Sequence, residues 1–161
     1  MQIHKQLWED MLLMCQALSE EQYRYKTQLL NQSSIGEHLR HAFEFYDCLL
    51  NAIPEGFVDY DARPRDKKIE QQCAYAQLKI KQLLEKLDLH TNDRPLILHA
   101  REAQNNATAT SIERELIYCL DHAIHHQALI KIGLKAIKMS HIVHNDFGVA
   151  YSTLRYRSHK A

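Results

Sequence analysis

The sequence predicts an all-α protein, a four-helix bundle with a small irregular or hairpin insertion before its last bundle helix. Three observations carry this. Four stretches repeat apolar residues at three- and four-residue steps, the mark of amphipathic helices. Only three Pro and four Gly occur in 161 residues, which leaves long helices uninterrupted. That length suits one hydrophobic core and is short for two, so residues 1–161 are read as a single domain. Four amphipathic segments bury their stripes most economically against one another.

The first helix covers about residues 2–18, with Ile3, Leu7, Met11, Met14 and Leu18 in line and Trp8, Leu12 and Cys15 widening the stripe. Residues 19–32 read as a connection with a short turn near its start. The second helix runs over about 34–52. Ser34 and Glu37 form a capping-box pattern at its start, and Pro54 and Gly56 end it. Residues 54–66 read as a crossover loop, long for a bundle connection, which lets the second and third helices run parallel. The third helix spans about 67–87, with Ile69, Cys73, Ala76, Ile80, Leu83, Leu84 and Leu87 on one face. The period is lost over 88–110, where Leu96 to His99 suggests one arm of a hairpin. Ser111 caps the fourth helix, about 111–137, in which Gly133 costs about 1 kcal/mol relative to Ala and implies a close contact. The tail beyond Ser140 shows little periodicity.

Lys plus Arg and Asp plus Glu both number 20, so the chain has no general attraction to nucleic acid or anionic membrane. Arg155, Arg157, His159 and Lys160 make a basic end, read as a solvated terminus. No apolar run approaches the ~18 residues of a membrane span, and the N-terminal segment, with Glu9 and Asp10, is unlike a signal peptide. Cys15, Cys48, Cys73 and Cys119 form no CxxC pair and suit neither a disulfide framework nor a zinc finger. Together these readings favour a reducing, cytoplasmic setting.

The 11 histidines are the compositional oddity. His4, His90, His99, His141 and His159 have no regular partner and read as surface residues. Helix four carries Asp-His-Ala-Ile-His-His at 121–126. At about 100° per residue, His126 lies about 40° and His122 about 80° from the centre of the apolar stripe, whereas His125 is about 140° away. His122 and His126, one turn apart on a buried shoulder, form a two-ligand unit for a metal ion. Glu115 falls on the same shoulder and is a candidate to orient a histidine or handle a proton. A third ligand has two candidates in the second helix, His38 and His41, and the helical wheel mildly favours His38. Absent are HExxH, any ExxH, a phosphate-binding glycine loop and a GxSxG elbow, which sets aside thermolysin-like, ferritin-like di-iron, P-loop and α/β-hydrolase chemistry.

The run Ser33-Ser34-Ile35-Gly36-Glu37-His38-Leu39-Arg40-His41, then Ser111 to Leu116, then Asp121 to His126, resembles the DinB-like superfamily of metalloenzymes. The tail from Asp146 to Tyr156 is similar to the end of one bacterial branch. The resemblance implies an up-down-down-up four-helix bundle. It also implies one divalent metal, zinc or nickel, on His41, His122 and His126, so that His41 displaces His38 as the expected third ligand. Some members transfer low-molecular-weight thiols, so the expected function is metal-dependent thiol transfer or hydrolysis, with His38 and Glu115 as proton-handling candidates. A noncatalytic metal- or ligand-binding bundle and a structural or interaction protein are the competing readings. Arg63 and Arg65, in the crossover loop, are candidates to bind an anionic small molecule. A homodimer is expected as well, because Ile117, Ile124 and Ile132 lie off the core face of helix four and related bundles often pair.

Overall fold

A computed structural model describes residues 1–89 and 92–159 of the chain. His90 and Lys160, named above, lie outside the described residues. Four long helices dominate: α1 (Gln2–Gln16), α3 (Ile35–Ala52), α5 (Cys73–Leu89) and α6 (Ile112–Ala136). Three short ones, α2 (Glu20–Arg24), α4 (Lys67–Gln71) and α7 (Tyr151–Ser158), fill connections and tail. The main helix pairings are α3 with α6 and α1 with α5, all around one core. At its centre Trp8 meets Tyr46 and Phe43 edge-on, with ring centroids 5.4 Å and 5.9 Å away.

The all-α expectation needs one correction, because a three-stranded sheet is present. β1 (Phe57–Asp59), β2 (Pro95–His99) and β3 (Ala107–Ser111) lie in that order, β1 parallel to β2 and β2 antiparallel to β3. The hairpin expected within 88–110 is therefore found. Its neighbour β1 sits inside the segment read as a plain crossover loop. Three residues are too few to show a period of two, and the partner strand lies some 40 residues downstream, as in Val58 opposite Leu98. Burial of Val58 and Leu96 seats the sheet on the helices.

The capping signals are realised as geometry. Ser34 Oγ accepts from the Glu37 amide at 3.1 Å, and Glu37 Oε2 accepts from the Ser34 amide at 2.7 Å. Ser111 Oγ accepts from the Arg114 amide at the start of α6. The expected third helix is broken at Gln72, whose backbone is extended (φ −129°). The Glu20 carboxylate accepts from the amides of Cys73 and Ala74 at 2.9 Å and 3.3 Å, so a residue of α2 caps α5 from across the chain. No local pattern around residue 72 announces that cap.

Two glycines mark close approaches. A Cβ on Gly133 would lie 3.0 Å from both Ile35 Cγ1 and Leu30 Cδ1, the contact its position in α6 implied. One on Gly36 would lie 2.3 Å from the Glu70 carbonyl oxygen, which locks the first turn of α3 against α4.

The tail is more ordered than its sequence suggests. Phe147 is buried, and the Gly148 amide donates to Gln127 Oε1 while Gln127 Nε2 donates to the Leu7 carbonyl. Ile124, expected on an exposed dimer face, is buried instead, in a crevice it shares with Val149, Tyr151 and Leu154. Ile117 and Ile132 do remain exposed. His4 is likewise not a surface residue: it is buried and its Nδ1 lies 2.9 Å from the Tyr46 hydroxyl. Cys15, Cys73 and Cys119 are free thiols in the core, as the wheel places them.

Candidate metal centre

The α3–α6 seam brings three imidazoles together. His41 comes from the second turn of α3, while His122 and His126 lie one turn apart on α6. One donor nitrogen from each falls within 4.8 Å of the other two. The rings form a closed triangle, with centroids 4.7 Å apart for His41–His126, 4.8 Å for His122–His126 and 5.0 Å for His41–His122. His125 points away and is exposed, as its angle on the wheel requires.

The cluster has the chemistry of a metal site. Burial holds the His41 and His122 imidazoles down to about 4, helped at His41 by His122 and Arg63, and at His122 by His125 and Arg63. His126 is held down to about 3, again mainly by burial and then by His122 and His41. All three rings are therefore neutral at pH 7, the form that offers a lone pair. Nε2 of His122 is buried without a hydrogen-bond partner among the described residues, a loss that a metal–nitrogen bond would offset. Three neutral imidazoles fit zinc or nickel.

His38 stands beside the triangle and is not one of its three converging donors. Its Nδ1 lies 3.1 Å from Nδ1 of His126, and burial lowers its basicity. The wheel favoured His38, which stands next to the cluster, whereas the donor nitrogen that converges from α3 is that of His41.

An aromatic wall closes one side. Phe45 stacks on His122 at 4.2 Å and on Tyr60 at 5.0 Å, and Tyr118 meets both Tyr60 and His122. Phe45 was missed in the sequence, although its place four residues after His41 puts it on the same helical face.

Arg63 packs its guanidinium 4.6 Å from the Phe45 ring centre and donates from Nη1 to the Tyr60 carbonyl at 2.7 Å. Its Nε lies 3.7 Å from Glu44, a buried carboxylate that also accepts from the Asp66 amide. Arg65 is exposed and donates to the Asp61 carbonyl. Of the two loop arginines, then, the fold brings only Arg63 to the triad.

Glu115 is buried, but its carboxylate is already engaged. Oε2 accepts from the Tyr60 hydroxyl at 2.9 Å and Oε1 from the Thr110 hydroxyl at 2.7 Å. Tyr60, stacked in turn on Phe45, connects it to the site only through the aromatic wall.

Comparison with known families settles the lineage. The DinB superfamily matches residues 3–130, a span that includes His38, His41, Arg63, Glu115, His122 and His126. This chain belongs to the DinB superfamily. The tail at 146–156 lies beyond the span that matches the DinB superfamily. The chain is also 34% identical over 106 residues to FK506-binding protein 5 of Rhizopus delemar, an alignment covering 62% of this chain and 27% of that protein. It thus spans about a quarter of that relative's length. No solved structure matches it.

Proposed function

We propose that this member of the DinB superfamily is a metal-dependent enzyme that holds one zinc or nickel ion on His41, His122 and His126. Convergence of three neutral imidazole nitrogens within 4.8 Å is the observation that carries the reading. When bound there, such an ion supplies a Lewis acid with open positions, which lowers the pKa of a thiol or water and yields a nucleophile near neutral pH. The reaction we assign is thiol transfer or hydrolysis on a small molecule in the cytoplasm.

The chain's own residues bind, orient and exclude water. Phe45, Tyr60 and Tyr118 shield one flank, which strengthens electrostatic interactions inside. Arg63 keeps a positive charge beside His41 and His122, which favours a thiolate or other anionic group at the open face. Glu115, through Tyr60, fixes the wall and takes no proton in this reading.

The test begins with elemental analysis after reconstitution with zinc or nickel. One equivalent per chain is expected, and much less would remove the metal reading. The loaded protein is then assayed with low-molecular-weight thiols and electrophilic acceptors, and with ester and amide substrates. Absence of turnover in all of them, at full loading, would leave a noncatalytic metal-binding domain.

A further inference from the structure

We infer that His38 is a positioning residue for the metal centre: it accepts a hydrogen bond from Nδ1–H of His126 and so fixes the tautomer that leaves His126 Nε2 free to ligate. The inference rests on the three-histidine reading above. Its starting point is the approach of the two Nδ1 atoms to 3.1 Å, with ring centroids 5.3 Å apart.

Two neutral imidazoles meeting nitrogen to nitrogen share one proton between them, so one must donate and the other accept. Were His38 the donor, the Nδ1 lone pair of His126 would be taken up and its Nε2 would carry the ring proton. His126 would then have no free lone pair for an ion. With His126 as donor, Nε2 becomes its lone-pair nitrogen. Ligation by His126 and the hydrogen bond to His38 are compatible in this direction only. His38 then carries its own proton on Nε2, an atom buried without a partner among the described residues.

The sequence spacing explains why α3 can supply both roles. His38 and His41 are three residues apart, adjacent on one helix face, and the Ser34–Glu37 capping box fixes the turn that carries His38. One helix thereby contributes a ligand and the acceptor that orients a ligand of its neighbour. Partners of this kind, one bond removed from the metal, typically change affinity by roughly 10- to 100-fold when removed.

The experiment uses the full chain, wild type and the variants His38→Phe and His38→Asn. Phe keeps a ring but accepts no hydrogen bond, whereas the Asn side-chain oxygen can accept one. Zinc affinity is measured by competition with a chromophoric chelator, and the His126 tautomer is read in the metal-free protein from long-range 15N–1H correlations. Expected are Nδ1–H at His126 in the wild type, zinc binding weakened roughly 10- to 100-fold in His38→Phe, and substantial recovery in His38→Asn. Unchanged affinity in a folded His38→Phe would overturn the inference. So would loss of zinc as complete as in His41→Ala, which would make His38 a ligand. Failure of the wild type to bind zinc would defeat the metal reading itself, and the tautomer would still decide the hydrogen bond. A proton on Nε2 of His126 would show that His38 does not act this way.

Discussion

His41, His122 and His126 converge, and His125, next to His126 in sequence, is exposed on the far side of α6. Ala at any of the three ligand positions should therefore lower metal content severely, while His125→Ala should leave it at the wild-type level. Mass-spectrometric metal analysis of the four variants is the check, and equal loading in wild type and His122→Ala would end the ligand assignment. Glu115 gives a contrasting expectation. Its carboxylate accepts from Tyr60 and Thr110, so Glu115→Ala leaves two hydroxyls without their acceptor, at a cost of about 1–3 kcal/mol. Urea unfolding should show that loss while zinc content stays unchanged. Zinc loss without destabilisation would place Glu115 at the metal instead.

At the scale of elements, the site depends on how α3 is seated. Gly36, in its first turn, faces the Glu70 backbone, which cannot yield as a flexible side chain can. Gly36→Ala should thus destabilise by about 1–3 kcal/mol, as overpacking does, despite the better helix propensity of Ala. Gly133→Ala meets side-chain rather than backbone atoms, Ile35 Cγ1 and Leu30 Cδ1 at 3.0 Å, which can give by a few tenths of an ångström, so gain and crowding should nearly cancel. Thermal melts of the two variants test the contrast, and equal shifts would show that backbone crowding at Gly36 is not decisive. Ser34, Glu37 and Ser111 announced two helix starts correctly because an N-cap is local chemistry. The break at Gln72 went unseen because its cap, Glu20, lies more than 50 residues away.

For the whole molecule, four buried or half-buried histidines make stability depend on pH. His4, His41 and His122 are lowered to about 4 and His126 to about 3, mainly by burial. Unfolded, each binds a proton near its ordinary value of about 6.5. Between those values the unfolded chain holds more protons, so stability rises with pH. It is fully present above about pH 6.5 and lost as pH falls toward 4. Urea midpoints of the metal-free protein should decline steadily over that window, and a flat profile from pH 7 to 5 would show that the rings charge freely in the fold. Zinc should hold the midpoint up to lower pH, because the metal competes with protons for the same nitrogens.

Periodicity alone located the four long helices, though not the break at Gln72 that starts the third, and spacing alone paired His122 with His126, since both follow from the 3.6-residue turn. The short motif around His38 and His41 indicated a ligand on α3, and its resemblance to the DinB superfamily selected His41. Only the tertiary structure decided the rest. It paired β1 with a distant strand, folded the tail over Ile124, buried His4 against Tyr46 and drew Arg63 but not Arg65 to the site. It also set His38 against His126 across 88 residues of chain. Helix faces and caps arise from neighbours within a few residues, whereas these contacts join residues that only packing of the whole chain brings together.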